Sequence, residues 1–309
     1  MNFNSDLFSS ADKILCAISG GADSVVLLHL LVGLQKTKKF TLAVAHLNHQ
    51  LRPGTAERDA DFVETLTGKY GLPFHLGVRN VAQLAEAEGL SPEDAGRRAR
   101  YEFFFREAEL NGYNVLALAH HLDDQTETIL FRLLRGAAAK GLSGIVPERT
   151  AQGLRIVRPL LSATKQEILE YAAANGLDFQ EDETNRDNIY TRNKLRNAVL
   201  PLLKEINPNY QEGLRRTAEI LRDDDAYLET AARQAYAEVV LTDTPDKIKL
   251  DSAALRNYPR ALSRRIVRLA IEKLCGALND VSLVFIENFL ENGLTALTLD
   301  ERGKLVVSK

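Results

Sequence analysis

Short apolar runs alternate with longer amphipathic segments between residue 13 and about residue 176. The short runs are typical of strands buried in a parallel sheet, and the longer segments have the period of helices. The predicted strands are residues 14–18, 41–46, 74–78, 115–119 and 154–157. The predicted helices are residues 24–34, 55–70, 92–110, 123–134 and 165–174. This alternation predicts an α/β fold, a parallel five-stranded sheet with helices on both faces.

The alternation stops after residue 178. A polar segment at residues 180–188 precedes a predicted helix at residues 192–203, which stops near Pro208. Beyond it the pattern is mostly helical, with short strands at best at residues 249–250 and 294–307. The sequence therefore predicts a catalytic domain at residues 1–205 and a smaller, mainly helical C-terminal domain at residues 210–309.

Composition excludes some classes of protein. The 309 residues are 45% hydrophobic with a formal net charge of -3, which is ordinary for a globular protein and argues against a surface coated in basic charge. A basic-then-apolar start and an 18-residue apolar run are both missing, so we expect neither a signal peptide nor a membrane span. Cys16 and Cys275 lack C-x-x-C spacing, which favours a cytoplasmic protein with structural thiols.

The hexapeptide SGGADS at residues 19–24 lies between a predicted strand and a predicted helix. Ligands bind at this end of the strands in a parallel sheet. Glycines let backbone N–H groups face a ligand, and the helix N-terminus adds partial positive charge, so the turn suits an anion. Asp23 would repel a phosphate unless a cation lay between them, which predicts Mg²⁺. The turn matches neither a Walker A loop nor G-x-G-x-x-G.

A second strand-to-helix turn reads AHHLDDQTE at residues 119–127. On a helix starting near His120, Asp124 and Glu127 lie on the same face as that histidine. Two carboxylates beside a nucleotide could hold Mg²⁺, bind an amine or accept a proton from it. The alternative is an acidic first turn that only complements the helix dipole.

Basic residues form two groups that could contact phosphates. Residues 256–268 contain five arginines and no acid, and a helix beginning at Pro259 would align three of them. The second group surrounds residues 186–196. The alternative for both is a solvated helix face. The basic residues concerned are Arg192, Lys194, Arg196, Arg260, Arg264 and Arg268.

The hexapeptide resembles the pyrophosphate-binding signature of the N-type ATP pyrophosphatases, which split ATP between its α and β phosphates. Residues 46–52 (HLNHQLR), 96–104 (GRRARYEFF) and 120–127 (HHLDDQTE) add a resemblance to the tRNA(Ile)-lysidine synthetases, in particular to their shorter members. Residues 190–203 are similar to that family's exit helix, and the resemblance covers residues 13–205. One departure is at residues 135–145, where Ala137 and Ala138 replace a small hydroxyl residue and a glycine.

The resemblance implies a ligase that uses ATP and Mg²⁺ on tRNA(Ile) with a CAU anticodon. The 2-carbonyl oxygen of the wobble cytidine would attack the α-phosphate and release pyrophosphate. The ε-amine of free L-lysine would then attack ring carbon 2 and release AMP, which forms lysidine. The sequence leaves the oligomeric state open, a homodimer included.

The same resemblance assigns roles to individual residues. Asp23 would hold Mg²⁺, and Asp124 and Glu127 would bind lysine or act as its general base. Arg100 would contact the α-phosphate or the RNA backbone, and the residues of the two basic groups would bind the tRNA. His46, Asn48 and His49 could line the adenine, or could be polar strand ends. The expected ATP-binding residues are Ser19, Gly20, Gly21, Ala22, Asp23 and Ser24, and the expected catalytic residues are Asp23, Arg100, Asp124 and Glu127.

Two other functions are open to the same residues. One is a different enzyme of the superfamily, but a tRNA thiolase would need cysteines near the two turns, and a glutaminase-coupled synthetase would need a nucleophilic cysteine. The other is a non-enzymatic adenine-nucleotide sensor, which has no need of three acids around a phosphate. Release of pyrophosphate that depends on RNA separates these functions.

Overall fold

The computed structural model describes residues 1–50, 55–180, 194–276, 281–299 and 305–308. The chain divides into two compact units, Met1–Ala218 and Glu219–Lys309. The domain boundary at residues 205–210 stays a prediction. Within the described segments, no helix has the length and apolar character needed to cross a bilayer.

A six-stranded sheet forms the centre of the first unit, in the order β3-β2-β1-β4-β6-β5. Its strands are β1 (Lys13–Ala17), β2 (Thr41–Asn48), β3 (Phe74–Val78), β4 (Val115–Ala117), β5 (Glu148–Ala151) and β6 (Leu154–Val157). Every neighbouring pair is parallel except β5 and β6. The predicted α/β class is confirmed, with one more strand than predicted.

The additional strand, β5, belongs to a hairpin with β6. Gln152 and Gly153 connect the two strands, with φ angles of 50° and 77°. Two consecutive positive φ angles are typical of the tight turns whose twist matches antiparallel strands. Because Gln-Gly is a weaker turn signal than Asn-Gly or Asp-Gly, the sequence pattern predicted β6 but not its partner.

Helices cover both faces of the sheet. The helices of the first unit are α1 (Ala22–Lys38), α2 (Thr55–Lys69), α3 (Val81–Glu88), α4 (Pro92–Asn111), α5 (Leu122–Leu134), α6 (Ala139–Leu142) and α7 (Lys165–Ala174), followed by a π-helical segment (Leu195–Val199) and α8 (Leu200–Ile206). The next helix, α9 (Tyr210–Val239), begins in the first unit and continues into the second. Ser91 caps α4 and Pro92 opens it, as predicted. The core on one face contains Leu27, Leu28 and Ile168. The core on the other face contains Ala99 and Phe103 from α4.

The strand order places a crevice between β1 and β4. From β1 the chain proceeds to β2 on one side of it, whereas β4 lies on the other side. Such a change of direction opens a gap at the carboxyl ends of the strands, where ligands bind in open α/β sheets. The turns that follow β1 and β4 are residues 18–21 and 118–121, which carry the two motifs.

The second unit contains more strand than the sequence predicted. Helices α10 (Ser252–Arg256), α11 (Arg260–Cys275) and α12 (Leu283–Glu291) accompany an antiparallel sheet in the order β10-β9-β8-β7. Its strands are β7 (Val240–Asp243), β8 (Lys247–Leu250), β9 (Ala296–Leu299) and β10 (Leu305–Ser308). Each has four residues with alternating or partial burial, so their apolar signal is short.

Candidate active site

The turn after β1 has the backbone geometry of an anion site. Gly20 has φ +97°, a conformation that side chains disfavour, and Gly21 caps α1. The Ser24 hydroxyl donates to the Gly21 carbonyl at 2.9 Å and accepts the Ser19 N–H at 3.2 Å, so it holds the turn together. Among the described residues, nothing accepts the backbone N–H groups of Gly20, Ala22 and Asp23. These donors point to an anionic ligand.

Asp23 lies between two basic side chains. Lys165 Nζ, at the start of α7, is 2.6 Å from Asp23 Oδ1, and His121 Nε2 is 3.6 Å from Asp23 Oδ2. Burial raises the pKa of the Asp23 carboxyl, but the hydrogen bonds and charges of His121 and Lys165 outweigh it and leave the pKa below its usual value. Asp23 is therefore ionised and already paired with cationic groups.

His121 connects the two turns. It caps α5, where its Nδ1 accepts the Asp123 N–H at 3.3 Å, and Asp124 in return accepts the His121 backbone N–H at 3.0 Å. Its Nε2 lies 3.5 Å from Asp124 Oδ2 as well as beside Asp23. Burial lowers the pKa of this imidazole, but Asp23, Asp124 and Asp123 outweigh burial and raise it. The structure thus brings Asp23 and Asp124 to one imidazole.

Glu127 is buried in the same crevice and held by Arg196. Only 5% of Glu127 is exposed. Arg196 Nε and Nη2 donate to its two oxygens at 2.6 and 3.0 Å, in the two-pronged geometry that suits guanidinium and carboxylate. Burial raises the pKa of Glu127, and Arg196 opposes this rise. Arg196 also lies 3.9 Å from Asp124 Oδ1, so this arginine belongs to the crevice.

The polar residues at the carboxyl end of β2 are only partly engaged by the protein itself. His46 is buried, with its Nδ1 2.8 Å from the Ile18 carbonyl oxygen, and Asn48 accepts the Gln50 N–H at 2.9 Å. Burial, followed by the charges of Arg100 and His46, lowers the pKa of His49 to about 4. His49 is therefore neutral near pH 7.

Arg100 lies on the exposed side of α4 and donates from Nε to the Gly96 carbonyl at 3.3 Å. Its charge reaches the edge of the sheet, because it helps to lower the pKa of both His49 and His120. Lys194 is exposed. Arg192 lies outside the described residues, so its role stays a prediction.

The three aligned arginines of the second unit differ from one another. Arg264 Nε donates to Glu287 at 2.5 Å, and Arg260 binds the same carboxylate and Glu291, the latter at 3.1 Å. The acids missing from the sequence of α11 are thus supplied by α12. Arg268 makes no ion pair with any part of the chain that the structure describes. Their contact with RNA stays a prediction.

Sequence reasoning missed Lys165 and the position of Arg196. Lys165 begins the helix after β6, and β6 lies beside β4, so the parallel-sheet argument that located the other two turns also applies to it. For Arg196 the sequence carries no such signal, because 69 residues separate it from Glu127.

Three comparisons with known proteins found similar chains. The model of a family described as a PP-loop domain matches residues 2–203. The tRNA(Ile)-lysidine synthases of Geobacter sulfurreducens and Dehalococcoides mccartyi are 42% and 38% identical over 287 and 290 residues, covering 92% of this chain in each case. The matches cover 60% and 61% of those relatives, so the chain spans about three fifths of their length.

A solved structure shares the fold. The U34-tRNA thiolase NcsA from Methanococcus maripaludis matches with a TM-score of 0.61 at 18% identity, over 72% of this chain and 75% of that chain. The glycine turn after β1, the crevice at β4 and the match over residues 2–203 lead to one conclusion: the chain belongs to the PP-loop family.

Proposed function

We propose that this protein is a tRNA(Ile)-lysidine synthetase, a ligase that joins lysine to carbon 2 of the wobble cytidine of tRNA(Ile) with a CAU anticodon. ATP would be consumed and AMP and pyrophosphate released. The observation that carries the proposal is the single crevice in which His121 lies 3.6 Å from Asp23 and 3.5 Å from Asp124. An anion-binding turn and a pair of amine-binding acids are needed together in such a reaction, and the named relatives support the choice of substrate.

The first step needs stabilisation of the departing pyrophosphate. The N–H groups of Gly20, Ala22 and Asp23 are suited to donate hydrogen bonds to the oxygens on which negative charge develops, and the N-terminus of α1 adds partial positive charge. Lys165 adds a full positive charge beside them. The cytidine oxygen would become a good leaving group once it carries AMP.

Asp23 fits a Mg²⁺ ion held mainly by the nucleotide. Mg²⁺ typically takes one or two carboxylates together with phosphate oxygens and water. The described residues contain no group of three or more side chains that could hold a metal by themselves, and Asp23 supplies the one carboxylate at the turn. When bound, Mg²⁺ would neutralise phosphate charge.

The second step needs a binding site for lysine's ammonium group. Asp124 presents a partly exposed carboxylate, with 27% of its side chain accessible. Glu127 is already occupied by Arg196, so an amine has to share this carboxylate or replace the guanidinium. Free lysine is protonated at neutral pH, with a reference pKa of about 10.4, and a carboxylate favours that form. Binding is therefore the primary role of this pair, and proton removal the secondary one.

The test is incorporation of labelled lysine into unmodified tRNA(Ile) transcripts, with cytidine or uridine at the wobble position. Incorporation and pyrophosphate release should both require ATP and the cytidine. A nucleotide sensor would release no pyrophosphate, and another RNA-modifying enzyme of this fold would release it without incorporating lysine. Either result would refute the proposal.

Variants separate the two steps. Asp23→Asn should abolish pyrophosphate release, because the turn loses its metal-binding carboxylate. Glu127→Gln should impair the use of lysine more than the binding of ATP. Glu109→Gln is a matched control, since Glu109 is an exposed acid in the last turn of α4, which leads into the start of β4 and not into the turns that follow the strands. Normal pyrophosphate release by Asp23→Asn at saturating Mg²⁺ would remove the metal role.

A further inference from the structure

Three arginines surround Tyr101 on the α4 side of the sheet. Arg97 and Arg149 place their guanidinium carbons 5.3 and 5.4 Å from the centre of the Tyr101 ring. Arg158, at the end of β6, is only 4% exposed. Burial raises the pKa of the Tyr101 phenol, but a hydrogen bond from Arg149 and the charges of Arg97, Arg158 and Arg149 lower it overall. These residues concentrate positive charge in a partly buried place.

The cluster has no compensating acid. None of Arg97, Arg149 and Arg158 forms an ion pair with a described Asp or Glu. The neighbouring Arg98 differs, because it pairs with both Glu88 and Glu102. Arg158 is buried, whereas Arg149 is half-buried and Arg97 is exposed. A buried charge is normally paired, so Arg158, with two more arginines beside it and no described acid, indicates an anion from outside the chain.

Arg158 carries a donor with no acceptor. Its Nη1 donates to the Val146 carbonyl at 2.9 Å, but its buried Nε has no partner among the residues described. A buried N–H without an acceptor costs free energy, and such groups are uncommon unless a ligand satisfies them. This unsatisfied donor is an observation independent of the charge of the cluster.

The cluster adjoins the crevice. Arg158 follows β6, which pairs with β4, and His120 follows β4. Burial, and the charges of Arg158, Arg97 and Arg100, lower the pKa of His120 to about 4 against the opposing charge of Asp124. The arginines come from α4, β5 and the end of β6, whereas the glycine turn opens α1. They are therefore a second basic region beside the same crevice.

We propose that Arg97, Arg149 and Arg158, arranged around Tyr101, bind a phosphate group. Guanidinium groups match the oxygens of a phosphate in two-pronged hydrogen bonds, and several of them can share one anion. This inference rests on the proposed function, in which an RNA is brought to the crevice, and the occupant it favours is a phosphodiester flanking the modified base. A phosphate of the nucleotide has the same chemistry, and the experiment distinguishes the two.

The test compares two double variants of the full chain. Arg97→Gln with Arg149→Gln removes two charges from the cluster. Arg98→Gln with Arg106→Gln removes two charges from α4 whose partners are carboxylates. Binding of ATP and of unmodified tRNA(Ile) transcript is measured separately at several salt concentrations. Circular dichroism checks that both variants are folded.

The cluster variant should bind the transcript roughly ten-fold or more weakly, and its log-log salt slope should fall by about one to two. The control should change transcript affinity less than about three-fold. Loss of ATP affinity with unchanged transcript affinity would support a phosphate site and identify the nucleotide as its source. Equal effects of the two double variants on both ligands would overturn the proposal.

Arg158→Lys supplies an independent measurement, because it keeps the charge and removes the buried Nε donor. It should weaken binding of the same ligand as the double variant. Since equilibrium binding needs neither lysine nor turnover, the result is separable from the proposed function. If the protein incorporates no lysine, the proposed function is refuted. If the double variant of Arg97 and Arg149 nevertheless binds the transcript more weakly, the phosphate site is still supported.

Discussion

The Glu127–Arg196 pair allows a prediction with a definite magnitude. The structure places a carboxylate that is 5% exposed against a guanidinium at 2.6 and 3.0 Å. Unit charges about 4 Å apart attract by about 4 kcal/mol at an effective dielectric constant of about 20. Because 37% of the Arg196 side chain is exposed, solvent screening reduces the net contribution to about 2 kcal/mol. Arg196→Ala should therefore lower the free energy of unfolding by about 2 kcal/mol near neutral pH.

The sign of the pH dependence follows from the pKa of Glu127. Its pKa in the folded protein is raised above the usual carboxyl value, chiefly by burial, and Arg196 limits the rise. Removing Arg196 raises this pKa further. The folded state of the variant then binds a proton that the unfolded state releases, so its stability falls as pH rises from the unfolded to the folded pKa. The destabilisation should be largest above the folded pKa and should shrink as pH falls towards the usual carboxyl range.

The assay is urea unfolding followed by circular dichroism, since the chain contains no tryptophan to report by fluorescence. A double-mutant cycle with Glu127→Gln isolates the pair from the other contacts of Arg196. In the Glu127→Gln background, Arg196→Ala should cost less than half as much, and its pH dependence should disappear. A coupling energy below about 0.5 kcal/mol, or an equal cost at all pH values, would refute the reasoning.

Three further predictions concern single positions. Gly20→Ala should destabilise the protein by about 1–3 kcal/mol, because the φ of Gly20 is +97°. Gly21 has φ -71°, so Gly21→Ala should change the stability little. Thermal unfolding of both variants checks this. The pKa of His121 is raised in the folded protein, so protonated His121 stabilises the folded state. This stabilisation is complete below the unfolded-state pKa and is lost as pH rises through the folded-state pKa, which unfolding measured across neutral pH should show. His121→Asn retains a capping side chain and should abolish this pH dependence. Arg268→Gln should weaken transcript binding more than Arg264→Gln does, because Glu287 already neutralises Arg264; equal affinities of the two variants would contradict this.

The fold was predictable wherever an element is long or strongly apolar. The buried strands of the parallel sheet and the capped helix α4 follow from periodicity and from Ser91 and Pro92. The short elements were not predictable in this way. Helix α3 has eight residues, and the strands of the second unit have four each. Such segments are stabilised by their partners in the sheet or core, so their own sequence carries little signal.

The two motifs of the crevice were recognisable because each is local, a turn between a strand and a helix. Their ionic partners are not local. Lys165 is 142 residues from Asp23, and Arg196 is 69 residues from Glu127. In the second unit, a charge count along α11 likewise misses Glu287, which lies on α12 and pairs with arginines of α11. The spacing of residues within one segment does not predict an ionic partner that lies on another segment.

Three acids of the crevice are paired with bases, which alters how these three carboxylates act on a polyanion. Asp23 faces Lys165, Asp124 faces His121, and Glu127 faces Arg196. At a distance the fields of the two opposite charges in each pair largely cancel, so these three carboxylates raise no long-range electrostatic barrier against a triphosphate. At contact distance the two members of a pair act separately: the basic side chain can bind phosphate oxygens, and the carboxylate can bind a metal ion or an amine. The same residues of the crevice can therefore bind a negatively charged reactant and then a positively charged one.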